Sequence, residues 1–291
     1  MIIISLKGGL GNQLFQIFTC MNYSIESKKE FFIDDSHYNL VDDRITKRET
    51  YWNSIFKELK NKSIKWDKRL DGEKFDIFKE KGFEYNEIPK YKGDICLIGY
   101  FQSYKYFEKN YNTICEVLNI RKKKEEIIKK YKYDYKNLCS IHFRIGDYKK
   151  NLDCHLILSE KYYKSAINIM LKKGIKKFLV FYEKDDIKDV NRILDSLNGG
   201  AGVGGSAGVV GCNGVVRGEF IMIDCGIVDY DQILIMSNCF GNIIANSSFS
   251  WWGAYLNYNK NVCYPSSWFG KKMAYKSLKD LFPTGWQVVN T

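Results

Sequence analysis

Three short segments of the chain hold residue types suited to a charged ligand. In His142-Phe143-Arg144-Ile145-Gly146-Asp147, an arginine stands beside a glycine turn at the end of an apolar run. A guanidinium fixed there presents a planar fork of donors that matches a diphosphate. When a sugar leaves a nucleotide diphosphate, negative charge builds on the departing oxygen. A prepositioned arginine stabilises that transition state more than the ground state. The alternative reading of Arg144 is a surface ion pair with Asp147. His142, two residues earlier, lies on the same strand face, where it orients a sugar or completes the core.

The second segment runs Ile243-Ile244-Ala245-Asn246-Ser247-Ser248-Phe249-Ser250-Trp251-Trp252-Gly253, an apolar strand leading through hydroxyl-bearing turn residues into an aromatic helix start. Serine and asparagine cap helices well, and the free amides of a first turn favour an anion. A plain capping turn with both tryptophans in the core is the other reading. The third segment is Gly8-Gly9-Leu10-Gly11, followed by Asn12 and Gln13. It lacks the G-x-G-x-x-G spacing of nicotinamide binders, so its glycines alone say little. Asn12 at the first helical turn reaches toward phosphate or sugar hydroxyls, or caps the helix. Asp229-Tyr230-Asp231 forms a D-x-D, which in some sugar-transferring enzymes holds a divalent metal. Such a short match arises often by chance, and Asp231 is preferred as an acceptor for the amide and amine edge of a guanine. No metal site is expected, because C-x-x-C spacing is missing and His37, His142 and His155 are scattered.

These residues need elements to hold them. Residues 2–6 read as a strand, 8–11 as a tight turn, 12–27 as a helix and 31–34 as the next strand. That order opens a doubly wound α/β domain, whose ligands sit at the carboxyl ends of its strands. Residues 36–95 give weak periods and are assigned to mixed helix and loop, a surface for the acceptor substrate. A second α/β unit begins near Asn137, with strands over 138–143, 177–182, 220–224 and 241–245 and helices over 162–172, 186–197, 231–239 and 249–256. Residues 199–218, glycine-rich and almost uncharged, read as a flexible insertion. The expected domains are 1–135 on the acceptor side and 136–275 on the nucleotide side, with 276–291 packing back on the first.

Composition sets outer bounds. A chain of 291 residues that is 45% hydrophobic and 15% aromatic buries a sizeable core, and its length favours two domains. The apolar opening run stops at Lys7 without the flanks of an export signal, so it reads as a buried strand. No stretch approaches the roughly 20 apolar residues of a membrane span. The chain is therefore expected in the cytosol or peripherally at a membrane facing it. Its nine cysteines are an odd number and are expected as thiols. The net charge of +11 is spread along the chain, and its densest run, 121–124, precedes Glu125 and Glu126 and reads as a solvated helix face. That pattern argues against a nucleic-acid partner. It suits an anionic small ligand or an acidic membrane surface.

Residues 8–16, 142–148 and 245–256, in this order and at this spacing over nearly the whole chain, resemble the α-1,2-fucosyltransferases of glycosyltransferase family 11. The resemblance implies two Rossmann-like α/β domains facing a cleft, the GT-B type. It also implies a GDP-fucose donor, a galactose-terminated glycan acceptor attacked through its 2-hydroxyl, inversion at the anomeric carbon, and no required metal or cofactor. By the same resemblance Arg144 matches the arginine on the donor diphosphate, His142 and Asp147 its neighbours, Ser247, Ser248 and Phe249 the donor-binding turn, and Asn12 the residue at the cleft. Ile145 stands where many members have a second arginine. Inversion requires a base to take the acceptor proton. His155 sits where many members have a histidine, and Asp153 lies where related fucosyltransferases place a carboxylate; the sequence leaves both open.

Overall fold

The run Ile2-Ile3-Ile4 has no polar face, and such a run forms a stable strand only where both faces of a sheet are covered. In the computed structural model, which describes residues 1–35, 50–65, 75–197, 218–257 and 259–291, it is a fully buried central strand. This first strand, β1 (Ile2–Ser5), leads through the glycine turn into α1 (Leu10–Ser27), which carries the chain back to β2 (Phe31–Asp34). Then come β3 (Ser63–Ile64), β4 (Asp76–Lys79), β5 (Ile95–Ile98), α2 (Tyr111–Val117) and α3 (Ile120–Lys130). The five strands are all parallel, in the order β3-β2-β1-β5-β4. Phe15 and Phe18 of α1 pack against the ring of Phe107 at centroid distances of 5.9 and 5.5 Å, burying the helix's apolar face.

The assignment of 36–95 to helix and loop is corrected for its described part, which holds β3 and β4 and reaches β5. The reason is physical: β4 is an edge strand whose Asp76, Ile77 and Lys79 are exposed, so it shows no alternation, and β5 is too short to separate by period. The solvated face expected over 121–124 is also corrected. Lys123 and Lys124 are buried, and Lys123 donates to Glu58 at 2.6 Å, while Arg121 pairs with Glu125 on the exposed side.

The second unit contains β6 (Leu138–His142), α4 (Glu160–Lys172), β7 (Lys177–Phe181), α5 (Ile187–Leu197), β8 (Glu219–Met222), α6 (Asp229–Asn238), β9 (Gly241–Ile243), α7 (Ser248–Tyr255), β10 (Val262–Pro265) and β11 (Gln287–Val289). Its six strands are parallel, in the order β11-β10-β9-β6-β7-β8. β6 is buried at every position, as expected of a central strand. Trp251 and Trp252 of α7 are fully buried, as the core reading of that segment requires.

The chain divides into two compact units, Met1–Glu125 with Lys276–Pro283, and Glu126–Tyr275 with Thr284–Thr291. The closing segment is therefore shared, not wholly returned to the first unit. Asp280 accepts from the Tyr85 amide in the first unit, whereas β11 pairs with β10 in the second. Nearly all of the glycine-rich insertion, 199–218, lies outside the described residues. Among the described residues no helix is long and apolar enough to cross a membrane.

Candidate functional site

The second sheet grows from β6 to β7 and β8, then reverses and continues on the other side of β6 with β9. In open parallel sheets the crevice outside the carboxyl ends at such a reversal is where ligands bind. Here those ends carry the two segments that chemistry singled out: β6 runs into Arg144, and β9 into Asn246 and Ser247.

The Arg144 guanidinium meets the Asp147 carboxylate at 2.5 Å and also pairs with Glu183, just beyond the end of β7. The pair with Asp147 is thus real, but it does not exhaust the fork, since a guanidinium has five N–H donors. Burial works against the charge of Arg144, and the Glu183 and Asp147 carboxylates outweigh it, so its pKa lies above the ordinary value. The turn itself depends on Gly146. Its amide donates to the buried Asp186 carboxylate at 2.9 Å, and a Cβ there would lie 2.9 Å from the same carboxylate.

His142 is 5% exposed, and its ring centre lies 5.6 Å from that of Phe249. Burial, then the nearby Arg144 charge, pushes its pKa down to about 3, so the ring is neutral. Its Nδ1 is buried with no hydrogen-bond partner among the described residues. Ser247 caps α7, its hydroxyl accepting from the Phe249 amide at 3.3 Å, and Ser248 opens the helix. Asn246 donates to the carbonyls of Leu156 and Trp268 at 2.8 and 2.9 Å, and its own Oδ1 is buried and unmatched. Two buried polar atoms at the paired strand ends thus lack partners among the described residues.

By sequence the chain is similar to bacterial glycosyltransferases along nearly its whole length. An α-1,2-colitosyltransferase of Escherichia coli is 26% identical, the match covering 93% of this chain and 93% of the relative. The O-antigen biosynthesis glycosyltransferase WbnK of Escherichia coli is 27% identical, covering 91% of this chain and 93% of the relative. No protein-family model matches the chain. Among solved structures, a glycosyl transferase family 9 protein from Veillonella parvula superposes with a TM-score of 0.48 at 9% identity, covering 100% of this chain and 86% of that one. Fucosyltransferase NodZ from Bradyrhizobium gives 0.42 at 10% identity, covering 87% and 92%.

Within this glycosyltransferase-like chain, His155 lies in the same cluster as Arg144. Its ring stacks on Tyr148 at 4.4 Å with an interplanar angle of 18°, and its backbone forms a bridge with Phe269. Burial lowers its pKa below the usual imidazole value; Asp147 opposes that and Arg144 adds to it. Asp153 has a side chain that is 71% exposed, with Lys272 at 3.5 Å. Asp231 is buried in the first turn of α6, where its Oδ2 accepts from Lys130 at 2.7 Å and from the Tyr131 hydroxyl at 2.8 Å. Its described contacts therefore belong to the end of α3 and not to the Arg144 cluster. Asn12 is in the first unit, accepting from Gln102 at 2.7 Å. That bond spans the reversal of the first sheet, between the segments that follow β1 and β5.

Sequence reasoning missed Glu183 and Gln102, and gave no role to Tyr148 although it closes the 142–148 motif. Glu183 carried a usable signal, an acidic residue just past the strand neighbouring the arginine strand. Gln102 had none, because β5 was not recognised. Among the described residues no group of three or more His, Cys, Asp and Glu side chains is placed to hold a metal ion.

Proposed function

We propose that the chain is an inverting glycosyltransferase of GT-B type that moves L-fucose from GDP-fucose to the 2-hydroxyl of a terminal galactoside on a glycan. The observation that carries this reading is the convergence of Arg144 and the capped N-terminus of α7 at the reversal of the second sheet. Both present N–H donors where a departing diphosphate gains charge, which is the work that Lewis-acid metals do elsewhere, so the reaction as proposed needs no metal. The sequence likeness to two bacterial glycosyltransferases supports the reaction class.

In the proposed reaction the acceptor oxygen attacks the anomeric carbon, the bond from that carbon to the diphosphate oxygen breaks, and GDP leaves against Arg144. A base takes the acceptor proton. His155 suits this better than Asp153, because it is neutral near pH 7 and stands in the Arg144 cluster, whereas Asp153 faces solvent beside Lys272. A second donor is favoured by one observation, the name of the α-1,2-colitosyltransferase relative. Colitose is fucose without its 3-hydroxyl, and a site that grips the nucleotide leaves that difference unread.

The test is transfer from GDP-fucose and from GDP-colitose to β-galactosides in the presence of a chelator, followed by mass spectrometry, with Arg144→Ala alongside. Product from GDP-fucose that falls by roughly 100-fold or more in the variant is expected, in the range of losing a principal oxyanion contact. Product from GDP-colitose alone selects the second donor. Binding of GDP with no transfer to any acceptor supports a nucleotide-sugar-binding protein, and absence of GDP binding overturns the reading.

A further inference from the structure

Tyr148 is the side chain on which the segments of the second unit's site converge. Its hydroxyl donates to the main-chain oxygen of Asn246 at 2.7 Å. Its ring stacks on His155 at 4.4 Å, and the guanidinium carbon of Arg144 lies 5.6 Å from the ring centre. We propose that Tyr148 is a positioning residue that holds the arginine loop, the serine turn and His155 in one register; the proposal rests on reading this site as that of a GDP-sugar transferase.

Each contact fixes a different partner. Asn246 is the residue immediately before the Ser247 cap, so the bond to its carbonyl sets where the first free amides of α7 begin relative to Arg144. Asn246 is tied from its other side as well, through its amide to Leu156 and Trp268, and Leu156 follows His155 directly. A shift of Tyr148 would therefore move both flanks of the anion site. The phenol remains a donor over the working pH range, because burial pushes it up to about 12 against the lowering effect of Arg144. The stacking restricts the tilt of the His155 ring. Arg144 over the same ring is a cation–π contact that leaves its N–H fork directed elsewhere.

A tyrosine that merely fills space makes a different prediction from one that positions groups, and two variants separate them. Tyr148→Phe keeps the ring and removes only the bond to Asn246, whereas Tyr148→Leu removes both. GDP affinity is read by calorimetry, turnover by steady-state kinetics, and folded fraction by thermal melting. Tyr148→Phe is expected to weaken GDP binding about five- to tenfold, the size of one lost hydrogen bond, with kcat within about twofold of wild type. Tyr148→Leu is expected to lose at least as much affinity, because the ring against Arg144 goes too, and in addition about 100-fold in kcat, the scale on which a misplaced catalytic group acts. Phenylalanine thus restores turnover but not affinity.

Equal kcat in the two variants overturns the platform for His155, and GDP affinity unchanged in both overturns the link to Asn246. Losses that simply track the folded fraction reduce Tyr148 to a core filler. If the wild type binds GDP but transfers no sugar, the transferase reading fails while the affinity comparison still judges the Asn246 link. If the wild type binds no GDP, both fall together.

Discussion

His142 is buried beside the Arg144 guanidinium, and both circumstances act on its ring in the same direction. Burial disfavours the charged imidazolium and the neighbouring positive charge repels it, which brings the pKa to about 3. In the unfolded chain the same ring titrates near 6.5. As pH falls below that value the unfolded state takes a proton that the folded state refuses, so stability is lost progressively until about pH 3. Between pH 7.5 and 5 this single group should remove about 2 kcal/mol. In His142→Gln that share disappears, so the gap between wild type and variant in unfolding free energy should narrow by about 2 kcal/mol over this range, as measured by denaturant unfolding at several pH values. Parallel pH dependences in the two proteins would put the ring's folded pKa near its ordinary value. The same physics separates the two histidines: both causes push His142 the same way, whereas at half-buried His155 the lowering by burial and Arg144 is opposed by Asp147.

At the scale of elements, the site is a set of short connections hung on buried strands. Gly146 shows how tightly one is built. Its backbone is not in the left-handed region, so any residue fits its dihedrals, but the space where a Cβ would go is taken by the Asp186 carboxylate. Gly146→Ala should push Asp186 aside and leave a buried carboxylate without the amide it accepts from, at a cost of about 1–3 kcal/mol. Weaker GDP binding should accompany it, since Arg144 stands on the same turn. Calorimetric unfolding together with a GDP titration checks both, and a fully stable variant would mean that Asp186 yields freely. The strands that position this turn were legible because fully buried parallel strands are continuous apolar runs: β6, β7 and β9 fall where the pattern put them, within a residue or two at each end. What stayed hidden follows the same logic. β4 is an exposed edge strand with no period to see, and β11 joins the sheet after a 21-residue excursion from β10, which no local pattern announces. Lys123 and Lys124 looked solvated from their charge run, yet Lys123 is satisfied inside by Glu58 and the Leu118 carbonyl, a partner set that only the fold supplies. Of the site, motif spacing gave Arg144, Asp147, His142 and the serine turn, while Glu183 and Tyr148 owe their roles to which strands lie side by side.

At the scale of the whole molecule, the described residues form two parallel sheets, each reversing about its first strand: β1 between β2 and β5, and β6 between β7 and β9. The repetition explains why both candidate ligand segments, the glycine turn with Asn12 and the arginine strand, directly follow the central strand of their own sheet. It does not make the two reversals equivalent. The second offers an arginine, a serine-capped helix N-terminus and two buried polar atoms unmatched among the described residues, whereas the first offers half-buried Lys7, whose charge burial and Lys79 disfavour, the N-terminus of α1 and the amide pair of Asn12 with Gln102. A nucleoside diphosphate should therefore choose the second. In hydrogen exchange with saturating GDP, protection is expected at 144–149 and 246–251, with β6 and β9 slowed as well, because a ligand held at 100 times its Kd stabilises the unit that binds it by about 2.7 kcal/mol. Residues 8–12 and 100–102 should exchange as in the free protein. Protection there of equal size would add Asn12 to the nucleotide contacts, as the family resemblance implies, and protection confined to the first unit would place the nucleotide on the wrong sheet for Arg144 to act on it.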